Sequence, residues 1–248
     1  MLASHLGLHV PADPWSQFLF LTGAGLTMYF ALSGLSYLVF FVWGRRRFHP
    51  DYVPDRRANR RAIVLAVAGT VGNVVLMMPL HWLIAHGHSR IYWDVSAHGW
   101  AWLAASFVLY LAFTETCIYW IHRGLHAGGP YRRLHYRHHE WEDTTSWVSM
   151  AFHPVDSFLQ ALPHHAIGFL IPIDGWMYLS MVSFVSVWAV MIHDRVSFIR
   201  WGAINYTDHH TLHHRHYTCN YGQFFTWWDR VMRTYRAPAA ASPSAHRR

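Results

Sequence analysis

GWAWLAASFVLYLAFTETCIYWIHRGLH, residues 99–126, decides how the chain is read. Residues 99–121 are almost wholly apolar, and at about 1.5 Å per helical residue that length crosses the roughly 30 Å hydrocarbon core of a bilayer. The span ends in His122 and His126, four residues apart and therefore on one helix face. A membrane helix that finishes in two imidazoles is suited to presenting ligands at the boundary with water. Glu115 lies on the same face two turns deeper, where an acidic side chain is costly and usually functional.

Two further clusters follow, HYRHH at 135–139 and HHTLHH at 209–214. Each contains one figure, His135-x-x-His138-His139 and His210-x-x-His213-His214, with imidazoles at i, i+3 and i+4 on one side of a turn. Two matching figures predict two matching metals. A lone His more often caps a helix or lines a core edge, but 22 of the 248 residues are His and the excess sits in these repeated spacings. A zinc site alone would favour four ligands with Cys or a carboxylate among them, and no HExxH pattern occurs. Imidazole suits Fe, Cu, Ni and Zn alike, so the spacing specifies a dinuclear site without fixing the element. His209 points off the figure's face and is expected to serve at the surface or behind the ligands. His153 and His165 stand beside Pro or another His in a phrase that could simply position a helix, so their roles stay open.

The composition extends the membrane reading. Hydrophobic residues make up 53% of the chain and charged residues 13%. The formal charge of +7 could suggest nucleic acid, but the Arg residues gather beside apolar runs, which fits the positive-inside rule better. Spans are expected at 18–43, 62–84 and 99–121. The Arg-rich connector 45–61 lies inside and the Arg-poor link 86–98 outside, which puts the N-terminus outside and the C-terminus inside. The apolar stretch 158–192 is broken by Pro163, Pro172, Asp174 and Gly175 and has His-rich segments on both sides. It reads as a helical hairpin that enters and leaves on one face without having to cross fully. The chain is thus an all-α integral membrane protein of about four to five membrane helices: three spans, a same-side hairpin and a cytoplasmic His-rich metal-binding cap. Residues 1–236 form one domain and 237–248 a disordered tail. Cys117 and Cys219 imply no disulfide framework, and the N-terminus lacks the pattern of a cleaved signal.

HRGLH, HYRHH, AFHPVDSFLQALPHH, IHD and HHTLHH followed by YGQFFTWWDR, in this order, resemble the fatty acid hydroxylase/sterol desaturase superfamily. The phrase at 151–165, the His193-Asp194 pair and Asn220-Tyr221-Gly222 are most similar to its sterol C5-desaturase (lathosterol oxidase) branch. Two departures stand out: Ser197 where some members have a further His, and Arg233 before Thr234 where Gly is usual. The resemblance covers roughly residues 105–236. It implies two Fe ions held by imidazoles, with Zn as a substitute in purified protein. It also implies O2 as co-substrate and electrons from a separate carrier such as cytochrome b5 or a ferredoxin with its reductase.

On that basis the expected metal ligands are His122, His126, His135, His138, His139, His210, His213 and His214, with His193 as a ninth. Glu115 and Asp194 are the candidate catalytic carboxylates. Metal-bound imidazoles usually give their second N–H to a carboxylate or carbonyl, and Asp156, Asp194, Asp208 and Asp229 are placed to accept it. Tyr119, Trp120, Trp147, Trp188, Trp227 and Trp228 could line a flat slot or form an interfacial belt. The resemblance implies a membrane diiron oxidoreductase that introduces the C5–C6 double bond into a delta-7 sterol. Hydroxylation of another membrane lipid is the alternative within the class, and a metal-binding or transport protein the alternative outside it. A transporter would be expected to hold ligands at mid-membrane; here they stand at span ends, which favours an enzyme. No nucleic-acid partner is expected. The absence of an evident retrieval signal suits a bacterial inner membrane, with the endoplasmic reticulum membrane used by eukaryotic members of the resembled branch as the alternative.

Overall fold

The fold is described from a computed structural model covering residue 11 and residues 13–238. The N-terminal signal reading and most of the 237–248 tail lie outside the described residues. Helix α1, Pro14–Ser36, starts where Asp13 accepts from the Ser16 amide and Pro14 fits the first turn, and it continues as a π-helical stretch over Tyr37–Trp43. Helix α2 is Arg56–Ala85, α3 Gly99–Leu125, α4 Pro154–Leu170 and α5 Gly175–His193. The short α6, Thr207–His216, and α7, Trp227–Val231, complete the cap. Among the described residues, four helices are long and apolar enough to cross a membrane: Pro14–Trp43, Arg56–Ala85, Gly99–Leu125 and Gly175–His193. Apolar side chains such as Phe20, Leu35, Val64, Val108 and Val187 face outward from them. The protein is an all-α, multi-pass membrane protein.

Three expectations shift. The second span starts at Arg56 rather than 62, because Asp55 accepts from the amides of Arg57 and Ala58 at 2.8 and 3.0 Å and starts the helix early. Residues 56–61 of the Arg-rich connector are therefore helix. The third span runs on to Leu125, so His122 lies in its last turn and His126 caps it. The hairpin traverses the bundle. Its tip, β2 at Ile173–Asp174, pairs in parallel with β1 at Ile91–Tyr92 in the link between α2 and α3, and Trp102 donates to the Pro172 carbonyl at 3.0 Å. The tip thus reaches the end of the bundle opposite the histidines, although α4 is shorter and broken by Pro163.

The segment 122–157 is not a wholly polar cap. Residues 144–151 fold back into the bundle, with Thr144, Ser146, Val148, Ser149 and Ala151 buried. Tyr29 donates to the Trp147 carbonyl at 2.8 Å, and Ser146 donates to the Ser33 carbonyl at 3.0 Å. Tyr29, Ala62, Ala66, Trp141, Val148 and Ala151 make one core there. Gly69 and Gly72 let this segment and the start of α4 approach the α2 backbone, since a Cβ at either would collide with Phe152 or Pro154. A second core, around Tyr110, Ile167, Ile173 and Tyr178, fixes the hairpin against α3.

Candidate metal centre

Nine imidazoles converge at one end of the bundle in two groups: His122, His126, His135, His139 and His213 in one, and His138, His193, His210 and His214 in the other. Within each group the ligand atoms lie within 4.8 Å of one another. They arrive from the end of α3, from the turns at Tyr131–His135 and His138–Glu140, from the last residue of α5, and from α6. The two matching figures do not serve one group each. His135 and His139 join the first group while His138 joins the second, and on α6 His210 and His214 join the second while His213 joins the first. The i, i+4 pair of each figure faces one group and the residue between them faces the other. Each figure therefore ties the groups together and fixes their spacing.

Second nitrogens settle how the rings are aimed. His122 Nδ1 donates to the Tyr221 carbonyl at 3.0 Å, and His213 Nδ1 to the Cys219 carbonyl at 2.7 Å. His135 Nδ1 donates to Asp156 Oδ2 at 2.7 Å, while Gln160 steadies the other Asp156 oxygen. In the second group, His193 Nδ1 donates to Ala189 O at 2.6 Å and His214 Nδ1 to Trp141 O at 3.0 Å. With Nδ1 so engaged, the Nε2 atoms of His193 and His214 present bare lone pairs. The His210 Nε2 atom stands 3.0 Å from the first and 3.2 Å from the second. One proton cannot satisfy all of these, whereas one cation can. In the first group the Nε2 atoms of His126 and His213 are buried with no partner. Burial, reinforced by neighbouring imidazoles, holds His138, His139, His210, His213 and His214 well below the ordinary imidazole value. Neutral imidazole is the form that binds metal, so the donor set fits two metal ions.

Glu115 and Asp194 do not hydrogen-bond these rings. Glu115 accepts from the amides of Gln223, Phe224 and Phe225 at 3.0, 2.9 and 3.2 Å. Asp229 accepts from the amides of Tyr221 and Gly222, each at 2.9 Å. Together they clamp the loop whose Tyr221 carbonyl aims His122. Asp194 accepts from the Val196 amide at 2.9 Å and from Ser36 at 3.3 Å, and burial pushes its carboxyl up to about 7. Asp208 takes the Ser197 hydroxyl at 2.5 Å. Of the four aspartates considered as partners, Asp156 alone bonds an imidazole of either group. His153 caps α4 by accepting from the Val155 amide, His165 meets the Tyr178 hydroxyl at 2.6 Å, and His209 meets that of Tyr235 at 3.2 Å. None of the three belongs to a group. The carbonyls of Tyr221, Cys219, Trp141 and Ala189 had no signal in the sequence, because every residue carries one.

A cavity of about 260 Å³ opens against His122, His138, His193 and His210. Both arms of the α4–α5 hairpin wall it, Ala161 and His164 from one and Val185 and Trp188 from the other, with Leu32 and Phe152 completing its apolar surface. Trp188 lies inside, whereas Trp120 and Trp227 are exposed at the periphery.

The sequence model of the family described as Fatty acid hydroxylase matches residues 107–234, which contain all nine imidazoles. A Delta(7)-sterol 5(6)-desaturase of Gibberella zeae is 36% identical over 228 residues, 90% of this chain and 69% of the relative. A Delta(7)-sterol 5(6)-desaturase of Aspergillus fumigatus is 35% identical, covering 92% of this chain and 78% of its own length. The lathosterol oxidase of Mus musculus is 39% identical, covering 86% and 72%. No solved structure matches the chain.

Proposed function

The chain belongs to the fatty acid hydroxylase family, and from that premise we propose that it is a membrane sterol desaturase that forms the C5–C6 double bond of a delta-7 sterol. The observation that carries the reading is the largely apolar cavity that ends on imidazoles of both groups. In this reading the nine histidines hold two irons, which when bound supply the activation of O2 needed to break unactivated C–H bonds. The hydrogens would leave C5 and C6, two electrons would come one at a time from a separate carrier such as cytochrome b5 or a ferredoxin, two protons would come from solvent, and O2 would leave as two waters. The protein's own part is to hold the site in place. Asp156 and the carbonyls fix the rings, Glu115 and Asp229 fix the loop behind His122, and the hairpin wall keeps a flat apolar substrate dry and oriented. The same reading puts the histidine end in the cytoplasm. Arg61 lies 3.7 Å from Glu140 there, so the Arg-rich segment and the histidines share one end, as the positive-inside rule requires.

The test is direct. Iron-loaded protein in bilayers, given a delta-7 sterol, O2 and a reducing system, should yield the 5,7-diene, seen by its ultraviolet absorption, and should carry two metals per chain. A hydroxylated lipid as the sole product overturns the desaturase reading.

A further inference from the structure

The cavity beside the histidines holds few polar atoms, and one of them is an acceptor with nothing to accept. Gln223 Oε1 is buried and unpartnered, and Gln223 lines the cavity. A buried acceptor left empty is costly, and such atoms in a native site are usually met by a bound molecule or water. The rest of Gln223 is tied down. Its amide N–H donates to Glu115 at 3.0 Å, and its carbonyl accepts from Trp188 Nε1 at 2.8 Å. Its Nε2 lies 3.3 Å from His164 Nε2, and His164 Nδ1 lies 2.7 Å from the buried Tyr110 hydroxyl. Gln223 Nε2 can only donate, so His164 accepts on its own Nε2 and its Nδ1–H points to Tyr110. That chain fixes the amide with its oxygen as the free end. Two residues earlier, the Tyr221 carbonyl holds His122, while Gln223 itself sits on Glu115, two turns deeper along α3, on the wall of the same cavity.

We propose that Gln223 is a specificity-determining residue whose Oε1 accepts a hydrogen bond from the substrate's hydroxyl, with the amide held in position by His164 and Tyr110. The inference rests on the sterol-desaturase reading and sharpens it. A sterol carries its hydroxyl on C3, two carbons along the ring from C5. When C5 and C6 face the imidazoles, the hydroxyl stands one ring's width away from them, along the cavity wall to which Gln223 belongs. Asn73 Oδ1 is a second unpartnered acceptor on the cavity wall, but among the described residues no hydrogen bond holds that side chain in one orientation. An acceptor fixed in advance loses less freedom on binding, so Gln223 is assigned the role and Asn73 serves as the control.

The test uses the full-length protein in bilayers and two ligands, a delta-7 sterol with a free 3-hydroxyl and its 3-deoxy analogue, with both equilibrium binding and turnover measured. Wild type should favour the hydroxysterol by about 10- to 100-fold in Kd and KM. Gln223→Leu should bring that ratio close to one by weakening the hydroxysterol far more than the deoxysterol. Asn73→Leu should keep the wild-type ratio. If Gln223→Leu does not fold, as judged by metal content, Tyr110→Phe loosens His164 and should reduce the preference about threefold or more. An undiminished preference in Gln223→Leu or, in its place, in Tyr110→Phe overturns the assignment, as does loss of the preference in Asn73→Leu. A wild-type protein that binds and oxidises no sterol has a different signature and removes the sterol reading itself.

Discussion

The two histidine groups are made of one residue type and braced in two ways. The five-membered group carries a charged brace, Asp156 on His135, and includes His126, which is only half-buried and caps α3. The four-membered group is buried throughout, and its recorded braces are the neutral carbonyls of Ala189 and Trp141. A carboxylate behind an imidazole makes it a stronger donor than a carbonyl does. The difference teaches that five ligands leave one to spare while four leave none. The groups should therefore respond unequally to the same injury.

The sharpest way to break the comparison is His214→Ala. It removes one of four ligands and should empty that group, lowering metal content from two ions to one and activity by more than about 100-fold, beyond the loss typical of an outer partner. Membrane insertion should persist, because the spans do not depend on that side chain. Asp156→Asn should come next, with a roughly 10- to 100-fold loss of metal affinity confined to the five-membered group. Metal titration resolves the two sites, and equal weakening of both would show the charged brace to be shared. His126→Ala should cost about tenfold or less in activity and retain both metals, since four imidazoles still supply an ordinary ligand count; elemental analysis showing one metal would erase the distinction.

Acidification should give the most gradual effect. Burial keeps His138, His139, His210, His213 and His214 neutral in the fold, whereas in the unfolded chain the same rings take up protons below about 6.5. The unfolded state then binds more protons, so stability is complete above that pH and falls as it drops lower. The denaturation midpoint of metal-free protein, followed from pH 7 to 5, should therefore fall. A midpoint that rises as the pH drops would contradict this sign.

The sequence by itself determined the class of the molecule. Apolar length marked the spans to within a turn or two, and spacing of three and four picked out eight of the nine imidazoles, because these signals are local and periodic. His193 came from resemblance, since a single His at the end of a span has no period. Helix starts were misplaced where one side chain, Asp55, capped earlier than hydropathy suggested. Tertiary structure alone decided how the ligands divide. His138 parts from His135 and His139 because the short turn at His138–Glu140 rotates neighbouring rings to opposite sides, and no spacing rule encodes which group lies on which side. It also decided what Glu115 holds. An acid two turns behind His122 looks catalytic in sequence, but the loop that folds over it from more than a hundred residues away presents three amides to its carboxylate. Contacts between distant segments, and carbonyls that every residue possesses, leave no mark in composition or period; they exist only once the chain has packed.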